Sequence, residues 1–599
     1  MRIVLIFILI LLTLPGFSKT TVKKEGNGWK LYVDEKAFDV RGVTFHGDWN
    51  KKTIGQYLKE LQFLGVNTIR TWGTNDETKV LLDSAHAYGI KVMVGIWLRH
   101  GRPGMEGDDS FNYLQDKKGM DDMYKGAIET VNKYKNHPAV LWWGVGNEVI
   151  LNIATDQEKK EYSQFLEKVC SEIKRIDADH PVASVDAWNF AFKWWKEYAP
   201  SIDVYGVNVY GGGSNQIPDE LSKLGIDKPY VITEYGVSGE WDAKEDKNGV
   251  RTEPGDREKY DVIAKGYKDW IKSKPNCLGV YVFHYESGKN FGAVWLLMKY
   301  DGAYRPAYWA TREAFTGKKP VNNVPEINSF TVQDTALPAG SWIPVKLSVS
   351  DKENDELDIS FHYNQRTGGR ARRDQINKLE FRGNLKDGYE IKLPEENGGI
   401  KVYVFVKDSY NNIGIAHSSI LIRNPKSDNL IPGAKVDLPF YVYKDDKNLP
   451  YIPTAYMGDI KYLKVDMNFR ESVHSGMSAI KITYDHTGGW FGLGLVDPPD
   501  DWGDRPGGYN LTGAKKMTFW AKASSDEVVG TFGFGLIGKD KPYYDTDKKS
   551  SKIFLTTQWK KYEIDISKAD LRCIRSGFTI YSGGIGQSFS IYIDDIMFE

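Results

Sequence analysis

The sequence predicts an α/β chain: a closed (β/α)8 barrel, then an immunoglobulin-like β-sandwich and a β jelly-roll domain. Three observations predict it. Between about Phe38 and Phe315, short apolar runs alternate with amphipathic helical runs, eight strands in all. After Lys318 the hydrophobic period drops to two, with linker-like breaks at Pro320–Pro325 and Asn424–Asn429. No glycine-rich nucleotide fingerprint follows the first strand, which counts against a doubly wound open sheet.

Taken in order, residues 1–18 read as a signal peptide. Arg2 supplies the positive start, Ile3–Leu14 the apolar run, and Pro15–Ser18 small residues for cleavage. The run is short for a membrane span, and no cysteine follows it to carry a lipid. The mature chain is therefore expected to be secreted (extracellular, periplasmic or at the cell surface), with no membrane contact after signal cleavage.

Residues 19–318 are assigned to the barrel. Its strands are expected at Phe38–Val43, Thr68–Thr71, Lys91–Ile96, Val140–Gly144, Val182–Val185, Val204–Val209, Tyr230–Thr233 and Leu278–Val282. Helical runs between them include Ile54–Leu64, Asp76–Tyr88, Asp156–Asp177 and Asp256–Ser273. The loops Arg99–Met120, Gly236–Gly255 and Glu286–Arg305 follow strands three, seven and eight and are long, as active-site loops of a barrel are. Residues 322–424 are assigned to the sandwich, with strands at Val345–Val349, Leu357–Tyr363 and Val402–Val406 and an acidic turn after Val349. This domain shows no chemistry and reads as a spacer. Residues 436–599 are assigned to the jelly roll.

Composition narrows the function classes. The chain has 599 residues, with 79 Lys+Arg against 80 Asp+Glu. That balance gives no support for a nucleic-acid partner. It carries 18 Trp and 35 Tyr, which suits stacking on sugar rings and equally suits aromatic-rich β cores. Cys170, Cys277 and Cys573 are too scattered for a disulfide framework or a zinc motif. The histidines have no metal-ligand spacing, so no catalytic metal is expected.

Two segments carry the chemistry: Leu141-Trp-Trp-Gly-Val-Gly-Asn-Glu148 and Tyr230-Val-Ile-Thr-Glu234-Tyr-Gly. Each is an apolar strand ending on a glutamate, which places a carboxylate at the barrel mouth. A retaining glycosidase needs such a pair: one carboxyl protonates the leaving oxygen, and the other attacks the anomeric carbon. Retention predicts the two carboxyls about 5–5.5 Å apart, and inversion a wider gap.

At these residues the chain resembles retaining β-glycosidases whose barrels carry the acid/base on strand four and the nucleophile on strand seven. Asn136-His-Pro-Ala-Val-Leu-Trp-Trp-Gly-Val-Gly-Asn-Glu and Arg41-Gly-Val-Thr-Phe-His46 are most similar to the barrel of glycoside hydrolase family 2. The resemblance implies Glu148 as acid/base, Glu234 as nucleophile and Asn147 as donor to the sugar 2-hydroxyl. It also implies Arg70 beside the nucleophile and Tyr210 hydrogen-bonded to it. Trp72 and His46 are candidates for the same floor; a lone histidine near a strand end is more often a core residue. Strand eight departs from the family pattern, since it lacks a tryptophan under the cleavage subsite. Phe283, Tyr285 and Trp295 are candidates to replace it.

The last domain resembles carbohydrate-binding jelly rolls in Leu511-Thr-Gly-Ala-Lys-Lys-Met-Thr-Phe-Trp, Trp559-Lys-Lys-Tyr-Glu-Ile and Ile591-Tyr-Ile-Asp-Asp-Ile. Trp490 and Trp502 lie in aromatic, loop-like stretches and are candidates for sugar stacking, whereas Trp520 and Trp559 read as core. Asp594 or Asp595 is the candidate for a structural Ca²⁺, against a solvent-facing acidic pair. No cofactor is otherwise required. The expected partner is a polysaccharide or oligosaccharide, β-glucan before β-mannan. A transglycosylase on the same site and a glycan-binding protein with an inactive barrel are the alternatives.

Overall fold

A computed structural model of the chain describes residues 18–45, 52–100, 111–153, 155–239, 242–285, 298–332, 337–364, 376–395, 398–423, 433–445, 449–539 and 541–599. All but the last residue of the expected signal peptide lies outside the described residues, as do His46, Trp295 and parts of the three long loops. No helix among the described residues is long and apolar enough to cross a membrane.

Eight parallel strands close into a barrel in sequence order. They run Val40–Phe45, Thr68–Arg70, Lys91–Ile96, Val140–Val145, Val182–Ala187, Val204–Asn208, Tyr230–Tyr235 and Cys277–Tyr285. The last pairs with the first, Val280 opposite Arg41, which completes the ring. Each strand is followed by a helix whose apolar stripe packs on the barrel wall. Helix Ile54–Leu64 buries Ile54, Leu58, Leu61 and Leu64, one face of a 3.6-residue period, and ends on Gly65 in the left-handed region. Helix Asp156–Ile176 starts where the Thr155 hydroxyl accepts the Glu158 N–H. The run expected as one helix from Asp256 to Ser273 is α-helical to Gly266 and π-helical over Tyr267–Lys272.

The barrel interior is packed, not hollow. Met93, Leu141, Trp142, Val185, Val231 and Tyr281 form one buried cluster. The Tyr281 hydroxyl accepts the Trp142 indole N–H at 3.2 Å and pairs with the Thr68 hydroxyl inside the barrel. A small antiparallel sheet of Thr20–Glu25, Gly28–Val33 and Lys36–Ala37 was not expected from the sequence. Its Leu31 and Val33 join that cluster, so the segment before strand one plugs the barrel floor.

The sandwich consists of a four-stranded and a five-stranded sheet, from Glu326–Val332 through Ile413–Arg423, around Phe361, Ile391, Val402, Val404 and Ile420. The spacer reading needs correction. Glu253, in the loop after barrel strand seven, is buried against this domain. Its Oε1 accepts from Lys401 Nζ at 2.9 Å and from the Tyr403 hydroxyl at 2.6 Å, while its N–H donates to His417 Nε2. Asp256, at the start of the next helix, accepts the backbone N–H of Ile415 and a guanidinium N–H of Arg305. The sandwich thus holds the loop that follows the strand carrying Glu234.

The third domain stacks a sheet built on Leu463–Phe469, Ala479–Tyr484, Phe589–Phe598, Lys516–Ala523 and Lys560–Asp565 on a second sheet. The second is Ile452–Gly458, Trp490–Val496, Ser576–Gly583, Val529–Phe534 and Lys549–Phe554. Phe491, Leu493, Phe519, Phe532, Ile580 and Ile591 fill the space between the two. Trp520 alternates with the inward Phe519 and Ala521 and stacks on His474 at 3.7 Å on the outer face, so it is not a core residue. Trp559 is likewise half-buried beside His474. Asp594 is buried, not solvent-facing. It accepts the backbone N–H groups of His474 and Ser475, and Asp595 accepts the Ser475 hydroxyl. The acidic pair ties the last strand to the loop before Ala479.

Candidate active site

Strand four leaves the barrel through an unusual turn. Gly146 has φ +75° and Glu148 φ +54°, two left-handed residues within three positions. A side chain at 146 would also sit 2.8 Å from the Tyr162 hydroxyl, so only glycine fits there. The turn lifts Asn147 and Glu148 to the mouth, both half-buried. Strand seven continues two residues further than the sequence suggested, and Glu234 lies within it, opposite Asn208 of strand six.

Glu234 is buried and, among the described residues, accepts three hydrogen bonds. Arg70 Nη1 donates to Oε1 at 2.9 Å, the Trp72 indole N–H to Oε1 at 3.2 Å, and the Tyr210 hydroxyl to Oε2 at 2.8 Å. All three are donors, so both oxygens are held as acceptors in a fixed orientation. Arg70 is itself buried and also donates to the Thr233 carbonyl and to Asn147 Oδ1 at 2.5 Å.

Asn208 is the link that the sequence reading missed. Its Nδ2 donates to Glu148 Oε1 at 2.8 Å and to Asn147 Oδ1 at 3.2 Å, and its Oδ1 accepts from the Thr233 hydroxyl at 2.8 Å. Its only sequence signal is the polar residue ending the apolar run Val204–Val207, two before Tyr210. With Asn147 Oδ1 engaged by Arg70 and Asn208, its NH2 group points the other way.

The two carboxyls differ in environment as separate roles require. Burial, then the charge of Glu234, pushes Glu148 up to about 8, against the pull of the Asn208 amide. Glu148 therefore carries its proton at neutral pH. Tyr210 is pushed up by burial and then by Glu234, so it stays a donor.

Around this pair the mouth is aromatic. Phe283 of strand eight lies edge-on to Trp72 and to Tyr210, both at 6.2 Å between centroids, which makes it the strand-eight ring of the site. Tyr285 is a correction. It is 2 % exposed, stacks on Phe45, and donates to Glu60 of helix Ile54–Leu64 at 2.5 Å. It lies between barrel and helix, turned away from Glu234. Trp97, after strand three, and Phe190, after strand five, are 37 % and 47 % exposed at the same end of the barrel. Neither stood out in the sequence, because single aromatics in loops carry no pattern. Trp490 and Trp502 of the jelly roll are 49 % and 40 % exposed, as stacking candidates should be.

Residues 25–274 match the family described as glycosyl hydrolases family 2, TIM barrel domain. Human β-glucuronidase is 30% identical over 250 residues, which cover 38% of this chain and 34% of that protein. The β-galactosidase BoGH2A of Bacteroides ovatus is 25% identical over 240 residues, covering 33% of this chain and 25% of that one. The matched part is thus a quarter to a third of these relatives' length. A solved β-glucuronidase from Bacteroides uniformis aligns with 96% of this chain and 67% of its own at 13% identity and a TM-score of 0.39.

Proposed function

We propose that the chain is a secreted β-glycoside hydrolase that works by retention. The carrying observation is the unequal pair: Glu148 protonated by burial beside an anion, and Glu234 fixed by Arg70, Trp72 and Tyr210. In the first step Glu234 attacks the anomeric carbon as the glycosidic C–O bond breaks, and Glu148 gives its proton to the departing oxygen. In the second step Glu148, now a carboxylate, takes a proton from water, which attacks the anomeric carbon and frees Glu234. The Asn147 NH2 is the donor to the sugar 2-hydroxyl.

The substrate we favour is a β-linked polysaccharide, β-glucan before β-mannan. The exposed Trp97 and Phe190 at the mouth support sugar rings beyond the one being cleaved. The jelly roll supports the same reading. On the outer face of its second sheet, a side chain at Gly492 would meet Tyr581 and Met457 at 2.9 Å, so the Tyr581 ring lies low against the sheet. Trp490 opens this strand, and Trp502 lies in the loop that follows it. The exposed rings of Trp490 and Trp502 suit stacking on sugars. The names of the relatives make β-glucuronides and β-galactosides the competing substrates. The intact carboxyl pair argues against an inactive barrel.

The test is purified protein on β-glucans, β-mannans and aryl β-glucuronides and β-galactosides, with product sizing. Release of shorter β-glucans or β-mannans supports the reading. Cleavage confined to aryl glucuronides or galactosides overturns the substrate, and an acceptor sugar in the mixture reports transglycosylation.

A further inference from the structure

A second buried acid stands behind the general acid, and the double displacement makes no use of it. Asp186, in strand five, is 1 % exposed. Its Oδ2 accepts the backbone N–H of Ile150 at 2.7 Å, and its Oδ1 accepts those of Leu151 at 3.2 Å and Ala187 at 2.9 Å. Ile150 and Leu151 are the second and third residues after Glu148, so one carboxylate grips the turn that begins at the acid.

Glu148 needs such a grip. A left-handed backbone at a non-glycine residue costs on the order of 1 kcal/mol and persists only where the surroundings enforce it. Its N–H donates to the Val185 carbonyl at 3.0 Å, and its carbonyl accepts from Asn152 Nδ2 at 2.7 Å. Asp186 supplies the third and fourth ties, and both Val185 and Asp186 come from strand five.

We propose that Asp186 is the positioning residue of the general acid: its oxygens fix the turn after Glu148 so that the carboxyl proton meets the glycosidic oxygen in one geometry. The proposal rests on Glu148 being the acid. The charged and titratable groups facing Glu148 are Glu234 from strand seven, Asp186 from strand five, Arg70 from strand two and Tyr210 after strand six. Asp186 faces Lys159 and Tyr162 from helix Asp156–Ile176. Burial pushes Asp186 up to about 7, and its three backbone N–H donors pull it back. Its nearness also contributes to holding Glu148 up.

The test uses Asp186→Asn and Asn152→Ala in the full chain, with phenyl and 2,4-dinitrophenyl β-glycosides of the sugar the wild type cleaves fastest. Dinitrophenolate leaves without a proton, whereas phenolate needs one. Asp186→Asn replaces one accepting oxygen by an amide that cannot take the N–H it faces. It should lower kcat/KM for the phenyl glycoside about 10-fold or more while leaving the dinitrophenyl glycoside within about 3-fold. The basic limb of its pH profile should move to lower pH. Asn152→Ala, which loosens the same turn from the other side, should show the same selective loss. Equal losses on both glycosides, or no loss on the phenyl glycoside in either variant, would overturn the proposal. A wild type inactive on every β-glycoside would instead refute the glycosidase reading on which it stands.

Discussion

Lys401→Met tests whether the sandwich domain is part of the catalytic unit. Lys401 is fully buried, and its Nζ is 2.9 Å from Glu253 Oε1. At an effective dielectric of about 20, that pair is worth roughly 6 kcal/mol of Coulomb attraction, offset by the cost of desolvating both ions. Removing one partner strands the other, which typically costs about 3–5 kcal/mol. Glu253 keeps the Tyr403 hydroxyl, and Lys259 at 3.8 Å, so the lower end applies, about 3 kcal/mol. Scanning calorimetry of the full chain should show the barrel–sandwich transition lowered by roughly 5 °C. The initial rate on the substrate found by the panel should fall as well, because Glu253 anchors the loop after the strand that carries Glu234. The double variant Glu253→Gln/Lys401→Met should recover a large part of the stability, since no buried charge is left unpaired. A shift under about 1 °C with unchanged rate would refute the claim that this ion pair holds the loop.

Three further outcomes follow from the same geometry. The basic limb of kcat/KM should fall near pH 8, where Glu148 loses its proton. Because Glu148 binds its proton more tightly folded than unfolded, its contribution to stability is complete below about 4.5 and is lost as pH rises toward 8. Glu148→Gln should remove that decline, so its melting temperature should exceed that of the wild type by more at pH 8 than at pH 5. Tyr210→Phe removes a hydrogen bond to a charged group and should lower kcat about 10- to 100-fold with the melting temperature nearly unchanged. Trp490→Ala should weaken retention of the chain on insoluble β-glycan in a pull-down without changing the rate on a soluble oligosaccharide.

The barrel was legible because its signal is repetitive. Apolar strands buried on both faces cannot be confused with loops, and Ile54–Leu64 and Lys91–Ile96 ended where their patterns ended. Glu148 and Glu234 stood out in the sequence because each comes at the end of an apolar run. The floor sheet Thr20–Ala37 was not, because strands this polar and short acquire meaning only once Leu31 and Val33 find the barrel. Tyr285 was misplaced for the opposite reason: position at a strand end says that a ring is near the mouth, not which side of the sheet it takes. Asn208 and Asp186 act through contacts between strands, Asn208 with Glu148 and Thr233, and Asp186 with the turn after strand four. No spacing in one strand encodes a partner in another. The role of the sandwich was hidden likewise, since Glu253 and Lys401 are 148 residues apart in sequence.

In the proposed mechanism Glu234 forms a covalent bond to the sugar. The most direct measurement is peptide mass mapping after incubation with a 2-deoxy-2-fluoro β-glycoside of the sugar the enzyme prefers, which slows release of the glycosyl ester. One added glycosyl group, carried by Glu234, is expected, with no label in Glu234→Gln. Label on another residue, or an unlabelled protein whose first-formed product has the inverted anomeric configuration, would contradict it.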